Sequence, residues 1–86
     1  MSDNQAAAVD IDDIRALIAE EIELPVEEVT DEADLAGDLE VDSLAAMEIA
    51  VQLEKRYRIK IDEEEISTFT SLSVIHRFIA AKVGTG

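Results

Sequence analysis

Apolar residues mark the chain at two helical spacings. Ile11, Ile14, Leu17, Ile18 and Ile22 recur every three or four residues, which predicts a first helix from about Asp10 to Ile22. Asp10, Asp12 and Asp13 fall in its first turn, where the helix dipole favours negative charge, and Pro25 follows its end. From about Val26 to Val41 the periodicity stops. This stretch reads as a long loop pinned to the core by Val29 and Leu35, with Leu39 as a third anchor. Few compact domains carry so long a connection without a task for it.

A second helix is predicted to start at Asp42 or Ser43 and end near Tyr57. At 100° per residue it bears two apolar stripes. Ala46, Ile49, Ala50, Leu53 and Tyr57 form a wide one; Leu44, Met47 and Val51 form a narrow one on nearly the opposite side. A helix buried all round would also look like this, but so short a chain has too few other elements to cover both sides. The wide stripe is therefore expected in the core, and the narrow one exposed beside Ser43. "IDEEEISTF" predicts a short third helix, capped by Asp62 with Glu65 three residues on, and with Ile66 and Phe69 facing inward. A fourth helix, capped by Thr70 or Ser71, runs to about Val83 on a face of Leu72, Ile75, Ile79 and Val83, with Phe78 at its edge. Ile59 and Ile61 alternate with charge, but no partner strand is evident, so they read as an apolar tether. The fold class is all-α: a four-helix bundle of three longer helices and one short one. Residues 1–8 are expected to be a flexible lead, 9–83 one domain and 84–86 a flexible end.

Composition narrows the function. The 86 residues have room for one small domain. Without cysteine there is no disulfide, no thiolate metal site and no cysteine nucleophile. "MSDNQAAAVD" has neither the basic start nor the apolar run of a signal peptide, and no apolar stretch is long enough to span a bilayer, so a cytoplasmic monomer is expected. The net charge is −14. That sign argues against nucleic acid and anionic membrane surfaces, and favours basic protein partners. The charge is also uneven. Thirteen acids and no base lie between Ala16 and Glu54, whereas four of the seven bases crowd into Lys55–Lys60. Such a run is either a solvated face or an acidic docking surface.

Ser43 is the candidate for chemistry. At a helix start, free N–H groups and the positive dipole end favour a phosphate on its hydroxyl. Asp38 and Asp42 would repel that anion, and make better sense as Mg²⁺ ligands or as docking groups for an enzyme that installs it. A plain capping serine is the bland alternative. A catalytic reading fails: there is one histidine, no Gly-x-Ser-x-Gly elbow and no evident closed pocket. An EF-hand reading fails too, because Ser43 would stand where the loop's last acid belongs. A regulatory phosphoserine lacks an acid three residues on, where Ala46 sits.

Residues 26–44, "VEEVTDEADLAGDLEVDSL", together with "MEIAVQLEKRYRIKIDEEEI" and "TSLSVIHRFIA", resemble the acyl carrier proteins of fatty-acid and polyketide synthesis over roughly residues 9–82. The resemblance implies that Ser43 carries a 4′-phosphopantetheine arm, transferred from coenzyme A by a phosphopantetheinyl transferase. Mg²⁺ would act only in that transferase complex, assisted by Asp38 and Asp42. It implies a non-catalytic carrier that presents acyl groups to acyltransferases or ligases, ketosynthases and other acyl-processing enzymes. Docking would use Leu44, Met47, Glu48, Val51 and Glu54. An acyl chain sheltered between the second and third helices would meet Leu53, Ile61, Ile66 and Phe69, which equally suit plain core packing. Lys55 and Arg56 depart from the acidic second helix of many fatty-acid carriers and point to dedicated partners. Glu40 and Val41 stand where Gly-Ala is common. His76 reads as a partly exposed histidine, with a pH-sensitive packing role as the weaker alternative. An aminoacyl or peptidyl carrier is the runner-up, although the glycine-rich approach to its serine is absent here. An unmodified acidic interaction module is a remoter alternative.

Overall fold

Asp10 opens the first helix, its carboxylate accepting the Asp12 N–H at 2.9 Å. The computed structural model describes residues 9–85, so residues 1–8 and Gly86 lie outside the described residues. Four α-helices follow in order: α1 (Ile11–Ile22), α2 (Ser43–Tyr57), α3 (Glu63–Ile66) and α4 (Leu72–Thr85). The described residues contain no strand. The expected third helix shrinks to a single turn, and α4 runs two residues past its expected end.

The helix ends have local causes. Glu23 and Arg58 terminate α1 and α2 in the left-handed region, at φ 61° and 56°. Beyond each, a six-residue return bond closes the end: Leu24 N–H to the Ala19 carbonyl at 3.0 Å, and Ile59 N–H to the Glu54 carbonyl at 3.2 Å. Pro25 therefore follows a helix that has already stopped. At α3 the Glu65 carboxylate accepts the Asp62 N–H at 2.8 Å, as the capping-box spacing suggested. Ser71 rather than Thr70 caps α4, its Oγ accepting the Val74 N–H at 3.3 Å.

The core is the meeting of three apolar faces. Ile14 and Ile18 from α1, Ile49, Ala50 and Leu53 from α2, and Leu72, Ile75 and Ile79 from α4 are all buried. Phe69 meets Phe78 edge-on, with ring centroids 5.2 Å apart. The two stripes of α2 divide as expected: Leu44, Met47 and Val51 are 66%, 44% and 42% exposed.

The connection from α1 to α2 is ordered by the core rather than by its own helices. A 3₁₀ turn at Val26–Glu28 begins it. Val29, Leu35 and Val41 are its buried anchors, while Leu39 is half-buried, so Val41 takes the place expected of Leu39. Polar bonds tie the rest. Arg15 reaches from α1 to donate to the Val29 carbonyl at 2.7 Å and pairs with Asp31 at 2.8 Å. Leu35 N–H bonds the Thr70 carbonyl at 2.9 Å, and Ser73 N–H bonds that of Asp31 at 3.1 Å. His76, half-buried on α4, sits with Nε2 2.8 Å from the Val9 carbonyl oxygen, which requires Nε2–H to donate.

Candidate functional site

The approach to α2 sets the geometry of Ser43. Asp38 and Asp34 close a tight turn: Asp38 N–H bonds the Asp34 carbonyl at 2.7 Å, and the Asp38 carboxylate accepts the Asp34 N–H at 3.0 Å. Val41 N–H bonds the Leu35 carbonyl at 2.8 Å and turns its side chain inward. Between them Glu40 adopts φ 56°; unlike Glu23 and Arg58 it ends no helix. Asp42 then caps α2, its Oδ1 accepting the Ala45 N–H at 2.8 Å.

Ser43 is therefore the first residue of α2 and not its cap. The serine hydroxyl is spared from capping, because the Asp42 carboxylate does it. Ser43 is exposed, as are Asp38, Glu40 and Asp42. Asp42→Ala should lower the unfolding free energy by about 1 kcal/mol, whereas Ser43→Ala should leave it within about 0.5 kcal/mol. Urea denaturation of both variants checks this. Asp38 and Asp42 each hold a backbone N–H, and among the described residues no three acidic or histidine side chains gather as a metal site.

Two surface grooves run along α2, and Ser43 lines the first. One, of about 440 Å³, lies between α2 and α3 and is lined by Ser43, Ala46, Met47, Glu63, Glu64, Ile66 and Ser67. The other, of about 400 Å³, lies along α1 and α2 and is lined by Glu21, Leu44, Met47, Glu48, Val51 and Gln52. Here the exposed narrow stripe meets carboxylates from two helices. Partial burial in the groove, and then the neighbouring Glu48, push the Glu21 carboxyl above its usual pKa. A raised carboxyl pKa means that Glu21's share of stability is present below the ordinary carboxylate range and lost as pH rises through the raised value. Glu21→Gln should accordingly raise the melting temperature at pH 7, with the gain shrinking as pH falls and Glu21 takes up its proton.

The residues expected to dock and to shelter a chain divide differently from their helical positions. Glu48 is exposed. Glu54 is half-buried, and its Oε2 accepts the Ile61 N–H at 2.8 Å, which ties the tether after α2 back to the helix. Leu53 and Ile61 lie in the core. Phe69 bounds a small apolar cleft of about 40 Å³ with Leu35, Ala36, Val41, Ala46, Ile49 and Ile75. Ile66 instead lines the outer groove at Ser43. The four acyl-chain candidates thus do not share one cavity. Ala46 borders both spaces; the sequence placed it on the wide stripe but not among the chain-sheltering residues, and its small side chain between Ser43 and Ile49 was the available signal. Glu21, on another helix, had no local signal at all.

This geometry fits a long phosphodiester-linked arm. The hydroxyl is reachable, the Ser43 and Leu44 N–H groups have no hydrogen-bond partner among the described residues, and a groove leads away from Ser43. Comparison with known proteins agrees. Residues 12–79 match the family described as a phosphopantetheine attachment site. The chain is 42% identical over 84 residues to the polyketide-8 synthase acyl carrier protein 2 of Streptomyces avermitilis, covering 98% of this chain and 97% of that one. It is 35% identical over 74 residues to an acyl carrier protein of Streptomyces coelicolor, covering 85% and 80%. With an acyl carrier protein of Helicobacter pylori it shares 32% over 68 residues, covering 79% and 87%. An exposed serine at the mouth of α2, the helical fold around it and these matches lead to one conclusion: the chain belongs to the acyl carrier protein family, whose prosthetic group is 4′-phosphopantetheine.

Proposed function

We propose that Ser43 is the attachment residue and that the chain is a non-catalytic, monomeric, cytoplasmic carrier serving a polyketide or related acyl-assembly pathway. The observation that carries this is the free, exposed hydroxyl of Ser43 on the first residue of α2, with capping left to Asp42. When attached, the arm supplies the thiol on which acyl groups ride as thioesters, which the chain's own side chains cannot provide. Everything else is done by the fold. The ordered loop holds Ser43 outward, and tethering raises the effective concentration of the cargo at each partner's active site. Asp38 and Asp42 remain available to a transferase through their outer lone pairs, since each is exposed. The 42% identity to a polyketide synthase carrier supports an acyl cargo over an aminoacyl one. No described helix is long and apolar enough to cross a membrane, in keeping with docking onto other proteins.

Leu44, Met47 and Val51 give the docking face a small apolar contact, and Glu48 makes its association salt-sensitive and fast. Glu54, held by Ile61, contributes more to holding the tether than to docking. A short acyl chain would pass from the groove at Ser43 and Ile66, past Ala46, toward the cleft beside Phe69. Leu53 and Ile61 line neither space and serve the core. Incubation with coenzyme A, Mg²⁺ and a broad-specificity phosphopantetheinyl transferase tests the reading. Intact-mass analysis should show one phosphopantetheine added to the wild type and none to Ser43→Ala.

A further inference from the structure

The cleft beside Phe69 measures only about 40 Å³, against about 440 Å³ for the groove at Ser43, and Ala46 lines both. A space of that size holds about three water-sized groups, which is about three carbons of an alkyl chain. Its walls are fixed. Leu35 in the loop, Ile49 in α2 and Ile75 in α4 are core residues, each 3% exposed or less. Phe69 is met edge-on by Phe78, and the Lys82 ammonium lies 5.3 Å from the centre of the Phe78 ring. Val41 is the wall nearest to Ser43 in the chain. Its N–H bonds the Leu35 carbonyl at 2.8 Å, and the Leu35 N–H bonds the Thr70 carbonyl at 2.9 Å. A β-branched side chain on a backbone held in this way has little freedom to swing aside. Val41 also stands at the edge of the core, at 8% exposure, so trimming it enlarges the cleft without removing a helix anchor.

We propose that Val41 is a specificity-determining residue, whose side chain limits the sheltered part of an acyl chain to about three carbons. This rests on the carrier reading and adds the size of the protected cargo to it. The cleft is apolar, so it takes an alkyl end. The remainder of a longer or oxygenated chain stays in the outer groove, where Glu63, Glu64 and Ser67 keep it wet and within reach of partner enzymes. Interiors this tightly packed do not stretch: a further methylene has to displace a wall. Val41→Ala deletes two methyl groups and makes room for about two more carbons, whereas Val41→Ile adds one methyl and removes room for about one.

The test uses the full chain with Ser43→Cys, which gives it a single thiol because it has no other cysteine. That thiol is alkylated with bromoacetamides bearing a spacer as long as phosphopantetheine and an unbranched alkyl end, lengthened one carbon at a time from methyl to octyl. The melting temperature should rise with each carbon up to about three and then level off or fall. The methyl NMR shifts of Ile49 and Ile75 should change up to the same length and no further. In the same background, Val41→Ala should move the break to about five carbons and Val41→Ile to about two. Should Val41→Ala fail to fold, the break in Val41→Ile decides alone. A steady rise through octyl, no rise at any length, or the same break with and without the Val41 substitutions would overturn the proposal. Alkylation bypasses the transferase, and phosphopantetheinylation of Ser43, read separately by mass, decides the carrier reading, so either idea can fail alone.

Discussion

Leu53→Ala will lower the unfolding free energy by about 2–5 kcal/mol, the largest stability loss expected of any single surface-neutral change in α2. Leu53 is fully buried on the wide stripe of α2, among Ile14, Ile18 and Ile79 in the same core cluster. Removing its branched end deletes burial and leaves a cavity that rigid helices on several sides cannot fill. A domain of this size has about 5–15 kcal/mol in total, so the variant loses a large fraction of it. Urea denaturation should show a lower midpoint with an unchanged slope. A loss below about 1 kcal/mol would mean that the cleft beside Phe69 extends to Leu53 and that the core there is already loose.

The second large effect belongs to Arg15→Met, expected to lower stability by about 2 kcal/mol through the loss of charge-assisted hydrogen bonds. The side chain spans from α1 to the loop, donating to the Val29 carbonyl and pairing with Asp31 and Asp12. Burial alone would lower its pKa; the Asp31 and Asp12 carboxylates overcome that and push it up, so the guanidinium stays charged. Met keeps much of the volume but leaves the carbonyl of buried Val29 without its donor. Both ion pairs have exposed carboxylates, which limits their share, and the Val29 bond carries most of the effect. Because the loop delivers Ser43, hydrogen exchange at Leu35 and Val41 should speed up more than at Ile75 in α4. Uniform acceleration would show that Arg15 supports the whole bundle rather than the loop.

How far the sequence could be read follows from the range of the forces involved. The two stripes of α2 were legible because burial on a helix repeats every 3.6 residues, and only one face can turn to a small core. The capping box at Asp62 was legible because both partners lie within one turn. The start of α2 was narrowed only to two residues, since Asp42 and Ser43 are both good caps and their choice depends on the chain's entry angle. Val41's burial escaped because it is set by a bond to Leu35, and Glu54's hold on Ile61 because it reaches across a turn that no periodicity marks. Glu21 meeting Glu48 is a contact between helices, decided by how α1 and α2 cross. Ser43 was singled out by its motif; the reason its hydroxyl is spare, namely that Asp42 does the capping, became visible only in three dimensions.

The most direct measurement is tandem mass spectrometry of the wild-type protein after enzymatic phosphopantetheinylation. The modified fragment should contain Ser43, with every other serine and threonine bare. A phosphopantetheine mapped to any other hydroxyl, or none found with several active transferases, would contradict the account.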